Sequence, residues 1–371
     1  MKNVKVVTLN PSLKSDEISD FEESLSNKVI NQPEAIQAVS GMYEQYLAGI
    51  PKENRPLGIL MLLGTTGTGK TKLAEALAEA IFDDPKAMLK INCAEYQSSH
   101  EIAKLIGAPP GYVGHGEKSN AVGLSQERLN KFHTEDHKVS IVLFDEIEKA
   151  SSAFHDLLLG ILDKGTLTTG RGENIDFTKS FIIMTSNVGA AEMNKVAGGL
   201  GFCTNSQSKA SISHIAKHAA SKRFSPEFLN RIDKTIVFNS LDKEQMKQIV
   251  KVEIRAVQRR ILSSDRHCQF VLSVSEEAEG HIISDGYDPK YGARHLKRSL
   301  EKNVVNPIAS MILTGQIEMG DVLHVDIKLN EIAFHKVPAD SAFKDEDREF
   351  LDFLEAEAAA GRPGNNGNRG G

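Results

Sequence analysis

Cysteine is scarce in this chain: three in 371 residues, Cys93, Cys203 and Cys268, far apart and without a C-x-x-C pair. That spacing excludes a disulfide framework, argues against structural zinc, and suits a reducing compartment. Long apolar runs are missing too. None approaches the ~20 residues a bilayer-spanning helix needs, and the start, Met1 to Val7, turns polar too soon for a secretory signal. Nor is there a basic excess: 44 Lys and Arg against 50 Asp and Glu give a net charge of −6. Bulk nucleic-acid binding is therefore not expected, although a local basic stripe can sit inside such a balance. The expectation is a cytoplasmic protein with no membrane segment.

What is present is the material of a globular chain, 40% hydrophobic and 25% charged, long enough for two or three domains. The most informative stretch is Gly64-Thr65-Thr66-Gly67-Thr68-Gly69-Lys70-Thr71. It follows the apolar run Gly58 to Leu63 and opens a helix-like segment, Lys72 to Phe82. Strand, G-x-x-x-x-G-K-T and helix together set backbone N–H groups around a phosphate and aim a helix N-terminus at it. Lys70 adds an ammonium, and Thr71 a hydroxyl for magnesium. An ordinary glycine-rich turn would leave Lys70 without a reason.

Val139 to Phe144 is a nearly continuous apolar run, the signature of a strand buried on both faces, and it ends in Asp145-Glu146. Carboxylates at the carboxyl end of such a strand stand where open α/β sheets bind ligands. With the phosphate loop upstream, Asp145 is read as holding a magnesium water shell and Glu146 as orienting an attacking water. A second buried run, Ser180 to Ser186, ends at Asn187. Its amide can face a γ-phosphate or a water, or simply close a turn.

Elsewhere Pro33 opens a helix to Leu47, Glu101 to Ile106 and Ala153 to Leu162 read as helices, and Gly165 to Asp176 reads as a hairpin. After Leu241 the texture becomes mainly helical, with short alternating strands at Gln269 to Val274 and Val322 to Ile327 and one helical stretch from Arg294 to Leu313. Four segments are expected: an acidic arm at 1–25, an α/β domain at 26–240, a small domain at 241–330, and an acidic helix with a Gly/Asn-rich tail at 331–371. His133 and His137 stand four apart but in polar surroundings and without the H-E-x-x-H order, so no metal is expected there. Cys93 reads as a small buried hydrophobe.

In this order the pieces resemble the AAA+ ATPases of the Clp unfoldase family, most closely the second ATPase module of ClpA, ClpB and ClpC. The resemblance runs from about Val29 to Ile327. It rests on Gly64–Thr71, on Ile106 to Gly114 around Gly111-Tyr112-Val113-Gly114, and on Leu143 to Ala150. It rests also on Ile183 to Asn187, on Ser225 to Asp233, and on Gly286 to Arg294. The resemblance implies an α/β AAA+ P-loop module with a parallel sheet and a smaller, mainly helical C-terminal domain. It implies ATP and Mg2+ as cofactors, with Val29 and Ile30 lining the adenine pocket, Asn187 as sensor 1 and Arg294 as sensor 2.

Arg231 would be an arginine finger reaching a neighbouring subunit's nucleotide, so a homo-oligomer, a hexamer, is implied; a salt bridge to Asp233 or Glu227 is its plain alternative. Tyr112 and Val113 would grip a polypeptide substrate in a central pore, or pack over their own loop. Leu200-Gly201-Phe202 resembles the tripeptide that docks on a ClpP-like protease, or folds back onto its own domain. Departures are Thr65 where the family usually has Pro, and His115 to Asn120 in place of an acidic, glycine-rich continuation. One ATPase module is expected, with no first module, amino-terminal substrate domain or coiled-coil insertion, which speaks against a disaggregase of the ClpB kind.

Overall fold

A computed structural model describes residues 9–10, 12–107, 123–193, 206–263, 269–286 and 292–337. The chain divides into two compact units, Met1–Glu253 with Ile283–Ser299, and Ile254–Ile282 with Leu300–Gly371.

The first unit is built on a five-stranded sheet. Its strands are β1 (Gly58–Leu63), β2 (Leu89–Asn92), β3 (Ser140–Asp145), β6 (Ser180–Ser186) and β7 (Lys234–Val237), in the order β2-β3-β6-β1-β7. All the pairings are parallel. The apolar runs are continuous because both faces are covered. Ile59, Met61 and Leu63 of β1 join Val142, Phe144, Ile182 and Met184 in one core, while Leu60 and Leu62 join Ile141, Leu143, Phe181 and Ile183 in the other. Period-two alternation thus sends every second side chain to each layer, and none needs to be polar. In register, Leu63 stands opposite Ser186 and Asn92 opposite Asp145. With Phe144 opposite Met184, the carboxyl ends of β1, β3 and β6 lie within one residue of level, which sets Gly64, Asp145, Glu146 and Asn187 along one edge. β4 (Thr166–Thr168) and β5 (Asn174–Asp176) form a separate antiparallel pair where the hairpin was expected.

The acidic arm expected over residues 1–25 is corrected in part. Asp16–Ser26 is a helix, α1, that packs on α2 (Pro33–Leu47) and α3 (Lys70–Phe82). Ser15 caps it by accepting the Ile18 N–H, and Ile18, Phe21 and Leu25 are buried at i, i+3 and i+7. Each such burial contributes roughly 1.5–3 kcal/mol, enough to dock a helix whose other face is acidic. Phe21 stacks on Tyr43 with ring centroids 4.3 Å apart.

The second unit has a three-stranded sheet, β10-β9-β8, from β8 (Val271–Val274), β9 (Val322–Lys328) and β10 (Glu331–Val337). β10 falls in the stretch expected to be acidic helix and tail from 331 onward, a second correction. The two-residue turn before it, Leu329-Asn330, has φ of +53° and +65°, the primed geometry of a tight hairpin, but lacks the glycine that would have announced it. The stretch expected to be helical over Arg294–Leu313 is helical throughout, with Ala293–Leu300 followed by a π-turn at Glu301–Val305 and then Asn306–Leu313. Pro307 brings no N–H to the ladder, and the turn ahead of it widens. The acidic helix expected at Asp345 to Ala360 and the Gly/Asn-rich tail lie outside the described residues. Among the described residues no helix is long and apolar enough to cross a membrane.

Candidate functional site

From the end of β1 the chain turns through Gly64, Gly67 and Gly69 with φ of +151°, +77° and +99°. A Cβ on Gly69 would meet nothing within 4 Å; the left-handed backbone, not crowding, calls for glycine there. The Thr68 hydroxyl donates to Thr65 O at 2.9 Å and closes the loop, and α3 begins at Lys70 with no side-chain cap. Lys70 is 7% exposed. Its ammonium donates to Gly64 O at 2.8 Å, Thr65 O at 2.7 Å and Asn187 Oδ1 at 3.0 Å. All three acceptors are neutral. Burial pulls the Lys70 pKa down to about 8, with Glu148, Asp145 and Glu146 acting the other way from further off.

The acidic edge is stitched by Thr185. Its hydroxyl donates to Asp145 Oδ1 at 2.5 Å and accepts the Glu146 N–H at 3.0 Å. Burial alone would raise the Asp145 pKa, but the hydrogen bond from Thr185, together with Lys90 and Thr71, holds it below the ordinary value. The Thr71 hydroxyl stands 3.4 Å from Asp145 Oδ1. Glu146 has φ +58°, an uncommon conformation for a residue with a side chain. Its carboxylate pairs with Lys149 at 2.5 Å. Behind it, Glu148 Oε1 accepts the Asn187 N–H at 3.2 Å and Arg223 donates to the carbonyls of Glu148 and Ala150. Cys93 is fully buried, and burial pushes its thiol well above the usual range.

A cleft of about 390 Å³ opens beside the phosphate loop within the first unit, and Gly64, Thr65 and Cys93 are not among its lining residues. Val29 and Ile30 line it, as do Thr66, Gly67, Thr68, Gly69, Lys70, Thr71, Asp145, Glu146, Asn187 and Arg294. Leu241, Ile249 and Val252 complete an apolar wall beside Val29 and Ile30 that sequence reading did not single out. Gln32 locks that wall in place: it is 3% exposed, its amide donates to Asn239 O at 3.1 Å, and its Oε1 accepts the Asn239 N–H at 3.0 Å. The Ala293 N–H reaches Gly67 O at 3.2 Å, and a Cβ on Gly292 would lie 2.8 Å from the same oxygen. Glycine at 292 thus lets the start of helix Ala293–Leu300 close on the loop.

Four further lysines line the cleft, and each has a carboxylate partner: Lys28 with Glu79, Lys72 with Glu75, Lys90 with Asp145, Lys297 with Glu253. Among the described residues Arg294 has none. Thr185, Lys90, Gln32 and Glu148 are the site residues that sequence reading passed over. A threonine in an apolar strand and a lysine in an alternating one carry no signal until the strands are paired.

Arg231 does not line this cleft. Its guanidinium pairs with Glu227 at 3.1 Å and Asp163 at 3.5 Å, while Arg55 donates to its carbonyl at 2.8 Å. Asp233, the other partner considered for it, instead pairs with Lys52 and accepts the Ile59 N–H. His133, set aside as a metal ligand, bonds Ser140 Oγ at 2.9 Å. No metal-holding cluster of His, Cys, Asp and Glu occurs among the described residues. Tyr112, Val113, Leu200, Gly201 and Phe202 lie outside the described residues.

A parallel sheet with a glycine-rich loop, a buried lysine and a pair of strand-end acids defines a P-loop module of the AAA+ class. The model of the AAA domain (Cdc48 subfamily) matches residues 55–235, and that of the C-terminal, D2-small domain of ClpB protein matches residues 241–325. The chain belongs to the AAA+ proteins of the Clp family. It is 38% identical over 324 residues to the chaperone protein ClpB of Gloeobacter violaceus, covering 87% of this chain and 35% of that protein. To ClpC of Staphylococcus saprophyticus, an ATP-dependent Clp protease ATP-binding subunit, it is 37% identical, covering 90% and 39%. The chain thus spans little more than a third of these relatives. A closed-state cryo-EM reconstruction of Hsp104 with ATPγS and FITC casein superposes with a TM-score of 0.72 at 31% identity, covering 87% of this chain and 52% of that one.

Proposed function

We propose that this chain binds ATP with magnesium in the cleft, hydrolyses it in a hexameric ring of its own copies in the cytoplasm, and uses the cycle to remodel polypeptides. The observation that carries the nucleotide reading is Lys70: a buried ammonium with three neutral acceptors and no carboxylate in contact. Such a charge calls for an anion, and the glycine loop supplies the room for one.

In this reading Lys70 and the loop amides hold the phosphates, while Val29, Ile30, Leu241, Ile249 and Val252 cover the base. The residues present fit magnesium: Thr71 and Asp145 would hold it, directly and through water, and it would neutralise charge on the phosphate oxygens. Glu146 orients and deprotonates the attacking water, Asn187 fixes that water or the terminal phosphate, and Arg294 adds positive charge. Arg231 serves the next subunit's nucleotide, a reading supported by its place outside the chain's own cleft. Tyr112 and Val113 grip the polypeptide.

The test is Glu146→Gln on the full chain. The variant should bind a fluorescent ATP analogue as the wild type does, lose at least a hundredfold in turnover, and retain a labelled unfolded protein in a ring-sized assembly. Turnover at the wild-type rate, or a wild type that binds no nucleotide, overturns the reading. A second reading, the ATP-driven subunit of a Clp-type protease, is favoured by the likeness to ClpC and by Leu200-Gly201-Phe202. Pull-down with a ClpP-type partner, with and without Leu200→Ala and Phe202→Ala, decides it; no binding in either case removes it.

A further inference from the structure

Both oxygens of the Asp145 carboxylate are taken. Oδ1 accepts the Thr185 hydroxyl at 2.5 Å and stands 3.4 Å from that of Thr71, while Oδ2 meets the Lys90 ammonium at 2.9 Å. Lys90 sits in β2 opposite Leu143, two residues before Asn92 pairs with Asp145, and it lines the cleft. The carboxylate that the proposed function assigns to the metal therefore already has a cation of its own.

The arrangement has a physical reason. Asp145, Glu146 and Glu148 crowd one strand end, and like charges that close raise one another's energy unless each is answered. Lys149 answers Glu146 and Lys90 answers Asp145, while Glu148 accepts the Asn187 N–H. A dication near Asp145 and Thr71 would stand within a few ångströms of the Lys90 ammonium, and two cations at that separation repel. Lys90 is 48% exposed at its side chain, on a long stem with room to leave.

Resting on the nucleotide reading above, we infer that Lys90 is the resident counter-ion of Asp145, a placeholder that gives way when magnesium arrives with the nucleotide. Lys90 keeps the acidic edge in order while the cleft is empty of metal, and it sets how much magnesium is needed to load the site. It is a positioning residue, acting through Asp145.

The experiment titrates MgCl2 into the full chain with a fluorescently labelled ADP and reads the magnesium concentration at half-maximal nucleotide binding. Lys90→Gln and Lys90→Met should lower that midpoint three- to tenfold, because the competing cation is gone. Lys90→Arg, which keeps the charge, and Lys86→Gln, an exposed lysine of the same region, should match the wild type. An unchanged or higher midpoint in the neutral variants overturns the inference, as does a midpoint for Lys90→Arg that falls with theirs. Should either neutral variant fail to give a wild-type melting transition, the other and Lys90→Arg still decide. If wild type itself binds no ADP at any magnesium concentration, it is the nucleotide reading that fails.

Discussion

The cleft and the Arg231 edge solve the problem of a positive charge in opposite ways. In the cleft, Lys70 is buried against neutral acceptors, and Arg294 has no carboxylate partner among the described residues. At the edge, Arg231 is engaged by Glu227 and Asp163, which are 62% and 50% exposed. Pairs so open to water are worth about 0–1 kcal/mol. The first arrangement suits an anion bound within the chain's own cleft, as proposed above. The second holds a guanidinium between two exposed carboxylates and the Glu227 carbonyl, with Arg55 donating to its own carbonyl; in the ring proposed above it is the group that would serve a neighbour's nucleotide. In the proposed ring the two regions would be the two halves of one site, and each can be broken separately.

The largest effect is expected at the edge. Arg231→Ala should leave nucleotide affinity within about twofold while lowering kcat roughly a thousandfold, the range of an arginine supplied to a phosphoryl group. Parallel titration and steady-state assays check both; a matching loss of affinity would mean that Arg231 belongs to the chain's own cleft. Next comes Lys70→Met, for which nucleotide affinity should fall about a hundredfold, the loss of a charged hydrogen bond near 3 kcal/mol. Calorimetric melting of the same variant without nucleotide should show no loss of stability, because a buried ammonium has been exchanged for an apolar stem of similar length. A melting temperature that drops by several degrees would show that Lys70 serves the fold rather than a ligand.

A smaller effect belongs to Thr185→Val. The substitution keeps the shape of the strand but leaves Asp145 Oδ1 without its 2.5 Å donor and the Glu146 N–H without its acceptor. An unanswered buried polar group costs about 1–3 kcal/mol, so the melting temperature should fall by a few degrees and turnover about tenfold. Thr185→Ser should recover both. If it does not, the methyl group rather than the hydroxyl is what the edge requires.

The contrast also explains what could be read in advance. Gly64 to Thr71, Asp145, Glu146 and Asn187 were legible because each is bound to a local pattern, a buried run that stops at a polar residue. Near-level strand ends then bring Thr66 to Thr71, Asp145, Glu146 and Asn187 to one cleft. Thr185, Lys90 and Gln32 were not, since their roles come from pairing β2 with β3, β3 with β6, and residue 32 with residue 239, and periodicity does not see such pairings. α1 was hidden by its own charge, with Ile18, Phe21 and Leu25 spaced for a helix among acids that read as a solvated arm. β10 was hidden by its turn, where Leu329 and Asn330 adopt positive φ without a glycine.

The remaining effect is one of pH, and it separates ligand from fold at a single residue. With its free-state pKa near 8, Lys70 is mostly protonated at neutral pH, and a bound phosphate anion would raise that pKa further. Nucleotide affinity should then be flat below pH 8 and weaken above it, by about tenfold at pH 9, as binding must take up the proton the lysine has lost. Stability without nucleotide should move the other way. Between pH 8 and 10 the unfolded chain holds a proton on Lys70 that the folded chain has released, so this residue's contribution to stability rises with pH. Taken against Lys70→Met as the reference, which cancels every other titrating group, the melting temperature of the wild type should gain on the variant over that interval. A wild type that gains nothing on the variant between pH 8 and 10 would mean that the folded chain holds the Lys70 proton as firmly as the unfolded one does.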